Sequence, residues 1–255
     1  MSLSQTSHRI TGPILTIVWA SLTLAGCQAG APRVSDSASI VDLDKDLVAL
    51  YREKLAAPVD AQSASNSKLA DLATRSASQG DAAVSDPPSA VSFYRIAATA
   101  AWAAGPPHDS RVPDLKDRGA AACGRLAKGD ASQPRDCAVL KISPNLALLE
   151  VTADDVQKLR DAGSVPPASF DNAVRLSEIV SSQIVQIMGS RPAGSTHAPL
   201  DNYLQPNLRN SYCMLAGLAG DFLKSSPPPA LSARVIKAGE DAQRVLDKAS
   251  FPTNC

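Results

Sequence analysis

The sequence predicts an all-α protein, an irregular antiparallel bundle of about six to eight helices with a disulfide-stapled C-terminus. Alanine is abundant and aromatic residues make up only 4% of the chain, a composition that suits closely packed helices better than sheets. Apolar residues recur every three or four positions, which places them on one face of a helix. No segment alternates polar and apolar residues for long enough to indicate a strand.

The first predicted helix runs from about residue 40 to 56. Leu43 and Leu47 share one face of it, and charged residues are available for the other. Ser39 and Asp42 have the spacing of a capping box in its acidic form. We therefore expect the folded domain to begin at Ser39.

The central helix is predicted over residues 89–105, directly after the pair Pro87-Pro88, because its alanine-rich face lets neighbouring helices approach closely. Residues 57–90 are rich in Ser, Ala, Gln and Asp, so we expect only a short helix near 66–78 that buries little. After a loop with His108, a further helix is predicted from Asp114 to about residue 128.

The segments between residues 134 and 163 resemble an irregular connector of short helices that stops at Gly163. The longest apolar stripes follow it, from Phe170 to Gly189 and from Leu208 to Leu223, the second after Pro206 has bent or begun the helix. A last helix is predicted over about 230–248. Because a short proline-rich connection precedes it, it should lie antiparallel to the helix before it.

A small-residue motif, Ala216, Gly217 and Gly220, is typical of membrane helices that touch closely. Asp221 and Lys224 follow at once and the apolar run is too short to span a membrane. We therefore expect these small residues to pack closely inside the bundle.

The first 26 residues have the features of an export signal. A polar start that includes Arg9 precedes an apolar run from Ile14 that closes on Leu24-Ala25-Gly26-Cys27. Export signals combine a positive start, an apolar core of about 7–15 residues and a small-residue cleavage site. The 13 residues from Ile14 to Gly26 are too few for a spanning helix, which needs about 20.

The tetrapeptide that ends at Cys27 resembles the lipobox of bacterial lipoproteins. In that family a diacylglycerol is attached to the cysteine, the chain is cut just before it, and the new N-terminus is often acylated too. The resemblance implies a signal peptide over residues 1–26, a lipidated tether over 27–38 and a helical periplasmic domain over 39–255. We therefore expect palmitate on Cys27 and firm membrane anchoring, because two lipid signals anchor a protein stably to a membrane whereas a single acyl chain binds only marginally.

The residue after the cysteine bears on the membrane to which the lipid attaches. Enteric lipoproteins with Asp at this position stay in the inner membrane, so by resemblance Gln28 implies the periplasmic face of the outer membrane. The inner membrane is the alternative.

The charge of the chain is close to balance. Removing residues 1–26 from the 255 leaves 229 residues, enough for a sizeable core, with 24 basic and 25 acidic side chains because only Arg9 is lost. No basic stripe stands out that could follow a phosphate backbone, so nucleic acid is not an expected partner. No cofactor is expected either.

Four further cysteines, Cys123, Cys137, Cys213 and Cys255, are an even number in a chain that reaches an oxidising compartment, which predicts two disulfides. Three pairings are possible. We prefer Cys123 with Cys137 and Cys213 with Cys255, because each then ties neighbouring helices or a helix and its own tail. A zinc site is the alternative, but the spacings lack the close pairs of a zinc ligand set, so no metal is expected.

Catalytic side chains are not marked by any motif of the sequence. The glycine-serine, His-Glu and phosphate-loop signatures are all missing. His108 and His197 each lie in a proline-containing loop, where a catalytic pair with Asp109 or a serine is conceivable but simple solvent exposure is commoner. We therefore assign no catalytic residue.

These observations favour a non-catalytic interaction or structural module of the cell envelope, anchored by lipid and holding or positioning another envelope protein. One alternative is a periplasmic enzyme acting on cell-wall material or a small ligand. Another is a tetratricopeptide-like helical-repeat binding protein, although the sequence has no self-similarity at a period of about 34 residues.

Overall fold

The computed structural model describes residues 39–126, 134–161, 163–190 and 198–255. Within these ranges nine α-helices and three short 3-10 turns form one compact unit without a strand, which confirms the predicted all-α class. The signal segment, the tether and Cys27 lie outside the described residues. The helices are α1 Ile40–Ala56, α2 Ser63–Ala82, α3 Pro87–Ala104, α4 Val112–Cys123, α5 Pro134–Lys141, α6 Asn145–Asp161, α7 Phe170–Gly189, α8 Ala198–Lys224 and α9 Pro229–Lys248.

Helix α1 begins and ends where the sequence predicts. The Ser39 hydroxyl oxygen accepts a hydrogen bond from the backbone N–H of Asp42 at 3.1 Å, and it also donates to the Asp42 carboxylate at 2.6 Å. These bonds satisfy donors of the first turn that have no partner within the helix. Leu43 and Leu47 are buried, as their spacing predicts.

Helix α2 is longer and more buried than the predicted short helix over 66–78. It spans Ser63–Ala82 and packs along α3. The residues that it buries are mostly small, with Leu69 and Leu72 as the large exceptions. A Cβ at Gly80 would lie only 2.9 Å from the Tyr94 ring, so the two helices approach closely there. Small residues bury helix surface without giving the strong apolar stripe on which the prediction relied.

Helix α3, which was predicted as the central helix of the fold, is central to its N-terminal half, formed mainly by α1 to α4. Fourteen of its 18 residues are buried, and Pro87 and Pro88 form its first turn. Proline suits this position because the first N–H groups of a helix need no intrahelical acceptor. The helix packs against α1, α2, α4, α5 and α6.

Two segments in the middle of the chain differ from their predicted structure. Helix α4 ends at Cys123, earlier than the predicted end near 128, and residues 124–126 are not helical. The expected irregular connector is instead dominated by α6, a continuous helix of 17 residues, and Gly163 follows it with φ of 76°. Buried Leu and Ala side chains on more than one face of α6 explain why no single stripe marked it.

The C-terminal half is built on α6 to α9. Helices α7 and α9 have almost the predicted bounds, whereas α8 starts at Ala198 and contains Pro206 in its interior rather than at its beginning. The Phe170 and Phe222 rings pack edge to face with centroids 5.1 Å apart.

Two hydrophobic clusters result. One is built mainly from α1 to α4 and the other mainly from α6 to α9, and α5 and α6 contribute to both. None of the helices in the described ranges is long and apolar enough to cross a membrane.

Candidate functional site

The four predicted disulfide cysteines form two bonds. Cys123 at the end of α4 is bonded to Cys137 of α5, with Cα atoms 5.9 Å apart. Cys213 of α8 is bonded to Cys255, with Cα atoms 5.5 Å apart, which confirms the predicted C-terminal staple. Both bonds have the partners preferred from the sequence.

The tail that follows α9 is held by more than the disulfide. Phe251 is buried in the C-terminal cluster with 4% of its surface exposed. The Arg209 guanidinium donates two hydrogen bonds to the Asn254 carbonyl, at 3.0 and 2.7 Å. The Thr253 hydroxyl donates to Asp247 at 2.9 Å. Residues 249–255 therefore turn back against α8 and α9.

The two histidines cannot be compared as a pair. His108 begins the 3-10 turn His108–Arg111 and is half-buried beside Asp109. His197 lies outside the described residues. A catalytic role for the histidines therefore stays a hypothesis.

Three glutamates take part in ion pairs between helices. Glu53 of α1 accepts from Lys68 of α2 at 2.8 Å, and Arg234 of α9 donates to both oxygens of Glu178 on α7 at 2.8 Å. Glu150 on α6 belongs to a larger group of polar side chains. Among these three acids Glu150 is the least exposed.

The most buried charge in the described part of the chain is Arg95, 2% exposed in the middle of α3. Its guanidinium donates to Asp44 of α1, and its Nε lies 3.2 Å from Asp136 of α5. This second contact is an ion pair without hydrogen-bond geometry. The Ser92 hydroxyl donates to the other oxygen of Asp136 at 2.7 Å. A buried cation between two carboxylates is compensated, so the cluster holds α1, α3 and α5 together.

The cluster continues into the C-terminal half. Arg135, next to Asp136 on α5, donates from Nε to Glu150 of α6 at 2.7 Å, and Glu150 also accepts from the Tyr203 hydroxyl of α8. Burial is the largest single effect on Arg135 and opposes its charge, but Glu150, Asp44 and Asp136 together outweigh burial and raise its pKa. Burial, with Glu150 second, raises the pKa of Tyr203.

These seven side chains are named the polar network: Asp44, Ser92, Arg95, Arg135, Asp136, Glu150 and Tyr203. They connect α1, α3, α5, α6 and α8. Each carboxylate faces a cation, and two also accept from a hydroxyl. The arrangement is suited to holding helices in one register rather than to moving protons.

A second, smaller group of polar side chains joins α1 to α6 and α7. The Gln183 side-chain amide donates to the Tyr51 hydroxyl at 3.0 Å and accepts from Thr152 at 2.6 Å. Burial raises the pKa of Tyr51, and the bond from Gln183 opposes this shift. All three residues are buried, so the two halves of the fold share satisfied polar contacts as well as apolar ones.

The small residues of α8 do not all pack as predicted. Ala216 contacts the C-terminal cluster. Gly217 leaves room for the Arg160 guanidinium of α6, which lies where a Cβ would be. Gly220 is exposed, and a Cβ there would meet nothing within 4 Å. Room for the Arg160 side chain therefore explains Gly217, and nothing in its surroundings explains Gly220.

In comparisons with known proteins, no protein family, curated protein or solved structure matches the chain. Among the described residues, no group of three or more His, Cys, Asp or Glu side chains is placed to hold a metal ion.

The polar network was not predicted from the sequence, although one signal for it was present. Arg95 is the one charged residue in the 18 residues of α3, and a lone charge in such a segment indicates a buried ion pair.

Proposed function

We propose that the protein is a lipid-anchored lipoprotein of the bacterial envelope, in which a rigid helical module holds or positions another protein at the periplasmic face of the outer membrane. The observation that carries the proposal is the apolar run that closes on Leu24-Ala25-Gly26-Cys27. Its core length and its position match an export signal, and its last four residues resemble a lipobox.

The two disulfides support an extracytoplasmic location. Disulfides persist in the periplasm and on cell surfaces and are rare in the reducing cytosol. All four cysteines after Cys27 are used in the two bonds. The two bonds are compatible with export, because they would form in the oxidising compartment that an exported chain reaches.

The use of buried charge supports a structural role for the domain. Arg95 and Asp136 are the buried charged side chains of the described residues, and burial of a charged group can tune it for catalysis. Both take part in ion pairs between helices instead. A domain held in one register suits the presentation of a fixed surface to a partner.

Palmitate labelling and cell fractionation test the anchor. We compare the unmodified protein, Cys27→Ala and, as a matched cysteine control, Cys255→Ser, which leaves the lipobox unchanged. The unmodified protein and Cys255→Ser should take up label and sediment with membranes, whereas Cys27→Ala should do neither. Label that persists in Cys27→Ala, or unmodified protein that stays in the soluble fraction, would contradict the proposal.

Affinity capture from detergent-solubilised envelopes tests the interaction role. A partner should be recovered with the unmodified protein and depleted with Cys27→Ala, because the variant is not delivered to the same membrane. Recovery of no protein above that control would count against a holding or positioning role.

A further inference from the structure

A groove of about 380 Å³ lies between α7 and α9. Its lining extends from Glu178 to Val185 along α7 and from Arg234 to Val245 along α9. At 1.5 Å per helical residue, the α9 side is about 16 Å long, or about three turns. The groove therefore has the length of a short helical segment.

The α9 side of this groove carries an excess of positive charge. Arg234, Lys237, Asp241, Arg244 and Lys248 follow one another at intervals of three and four, which places them on one face of the helix. Asp241 accepts from Lys237 and forms an ion pair with Arg244, each at 2.9 Å, so two cations share one carboxylate. Lys237 and Arg244 are 72% and 70% exposed and are available to a partner.

Arg234 does not add to this excess, because Asp171 of α7 acts on it together with Glu178. The excess therefore rests on Lys237 and Arg244 against Asp241. Arg234 is paired with Glu178 of α7 at 2.8 Å. The other acids of α9, Glu240 and Asp247, are not part of the groove lining. Counting the lining alone, three basic side chains face two acidic ones.

The floor of the groove offers apolar surface and one unused polar group. Val185, Ala238 and Val245 contribute the apolar part, and Val185 is 37% exposed. Ser181 lines the groove, and its hydroxyl, which is not fully buried, forms no hydrogen bond with the other described residues. A ligand that reaches the floor would exchange hydrogen bonds with this hydroxyl in place of water.

We propose that this groove binds an amphipathic helix with acidic side chains, presented by a partner protein. Apolar residues on successive turns of that helix would fill the floor beside Val185, and its carboxylates would pair with Lys237 and Arg244. A flat anionic membrane would reach the exposed cations but would not follow the concave floor between α7 and α9, so the shape of the groove favours a peptide. The inference does not depend on lipidation of Cys27.

Fluorescence anisotropy with synthetic peptides tests the groove, using the full-length protein purified in detergent. The probe is a labelled peptide of about 18 residues, long enough for stable helix, with Leu on one face and Glu on its flanks. One control peptide has the same residues in scrambled order, and another has Lys in place of Glu. The ordered acidic peptide should bind best, and added salt should weaken it.

Charge reversal in the groove gives the sharper comparison. Lys237→Glu with Arg244→Glu should weaken binding by about ten-fold or more, because both rim cations become repulsive. Lys45→Glu on α1 is the matched control, since Lys45 is 75% exposed against 72% for Lys237, and it should leave binding unchanged. Val185→Asp should weaken binding without altering the circular dichroism spectrum.

Three results would overturn the proposal. The first is equal binding of the ordered and scrambled peptides, or no binding of either. The second is a double variant that binds as well as the Lys45→Glu control. The third is a lack of peptide binding together with binding to phosphatidylglycerol vesicles that depends on Lys237 and Arg244, which would assign the cations to a membrane surface.

Discussion

Replacing Arg95 by Met should destabilise the fold more than any exposed substitution, because it leaves two carboxylates facing an uncharged side chain. Methionine keeps much of the volume of Arg95 within the core of the N-terminal half, so the perturbation is mainly electrostatic. Asp136 would keep the hydrogen bond from Ser92 at 2.7 Å and Arg135 at 3.9 Å. Asp44 would lose its ion pair with Arg95.

The magnitude follows from the burial of the partners. Removing one member of a buried ion pair costs about 3–5 kcal/mol. The Arg95 side chain is 3% exposed and that of Asp136 12%, but the Asp44 side chain is 33% exposed, so water screens part of the second pair. We therefore expect a loss of about 3 kcal/mol, at the lower end of the range for buried pairs.

Urea unfolding with both disulfides intact measures this loss as a lower midpoint at an unchanged slope. Arg75→Met is the matched control, because Arg75 is 55% exposed and lies 3.8 Å from Asp46, and it should cost less than about 0.5 kcal/mol. A variant that replaces Arg95, Asp44 and Asp136 together with apolar residues should lose less stability than Arg95→Met alone. A loss below about 1 kcal/mol for Arg95→Met would refute the reasoning, because an uncompensated buried charge must cost more.

Three further predictions concern packing, the tail and the tyrosines. Gly119→Ala should destabilise the fold by about 1–3 kcal/mol, because the new Cβ would lie 2.5 Å from the Leu140 side chain. Gly220→Ala should stabilise it by about 0.5–1 kcal/mol, because a Cβ there meets nothing within 4 Å. Equal thermal midpoints for the two variants would contradict this packing. Cys255→Ser should cost about 4 kcal/mol, since the closed loop spans 42 residues, and urea unfolding that matches the unmodified protein would rule out a stabilising staple. Burial raises the pKa of Tyr94 from 10.0 to about 12, and the hydrogen bond to Asp81 adds to this shift. The stability that the neutral phenol contributes is therefore fully present below pH 10 and is lost as the pH rises towards 12. The folded protein should therefore show less phenolate absorbance in that window than the urea-unfolded protein, and identical titration curves would contradict burial of the tyrosines.

The segments that were correctly predicted from the sequence have a strong apolar stripe or a defined start. Helix α1 has a capping serine, and α7 and α9 carry continuous stripes that face a single core. In each case the signal is local, because a residue three or four positions away lies on the same face. The staple between Cys213 and Cys255 could be predicted because two antiparallel helices limit where the tail can return.

The segments that were missed depend on partners distant in the chain. Helix α2 buries small side chains against α3, and the sequence of α2 alone does not reveal that neighbour. Arg95 was visible as a lone charge, but Asp44 lies 51 positions before it, and no local pattern joins the two. The groove between α7 and α9 likewise forms only when the two helices lie side by side, so the sequence of either helix alone does not reveal it.

Mass spectrometry of the N-terminal peptide of the mature protein tests the central claim most directly. The account predicts that the first residue is Cys27, carrying a diacylglyceryl group on its sulfur, with residues 1–26 removed. The same digest without reduction should contain the Cys213 peptide joined to the Cys255 peptide. An unmodified peptide that runs intact through Leu24-Ala25-Gly26-Cys27, or a mature chain that begins elsewhere, would contradict the lipid anchor and the envelope function proposed from it.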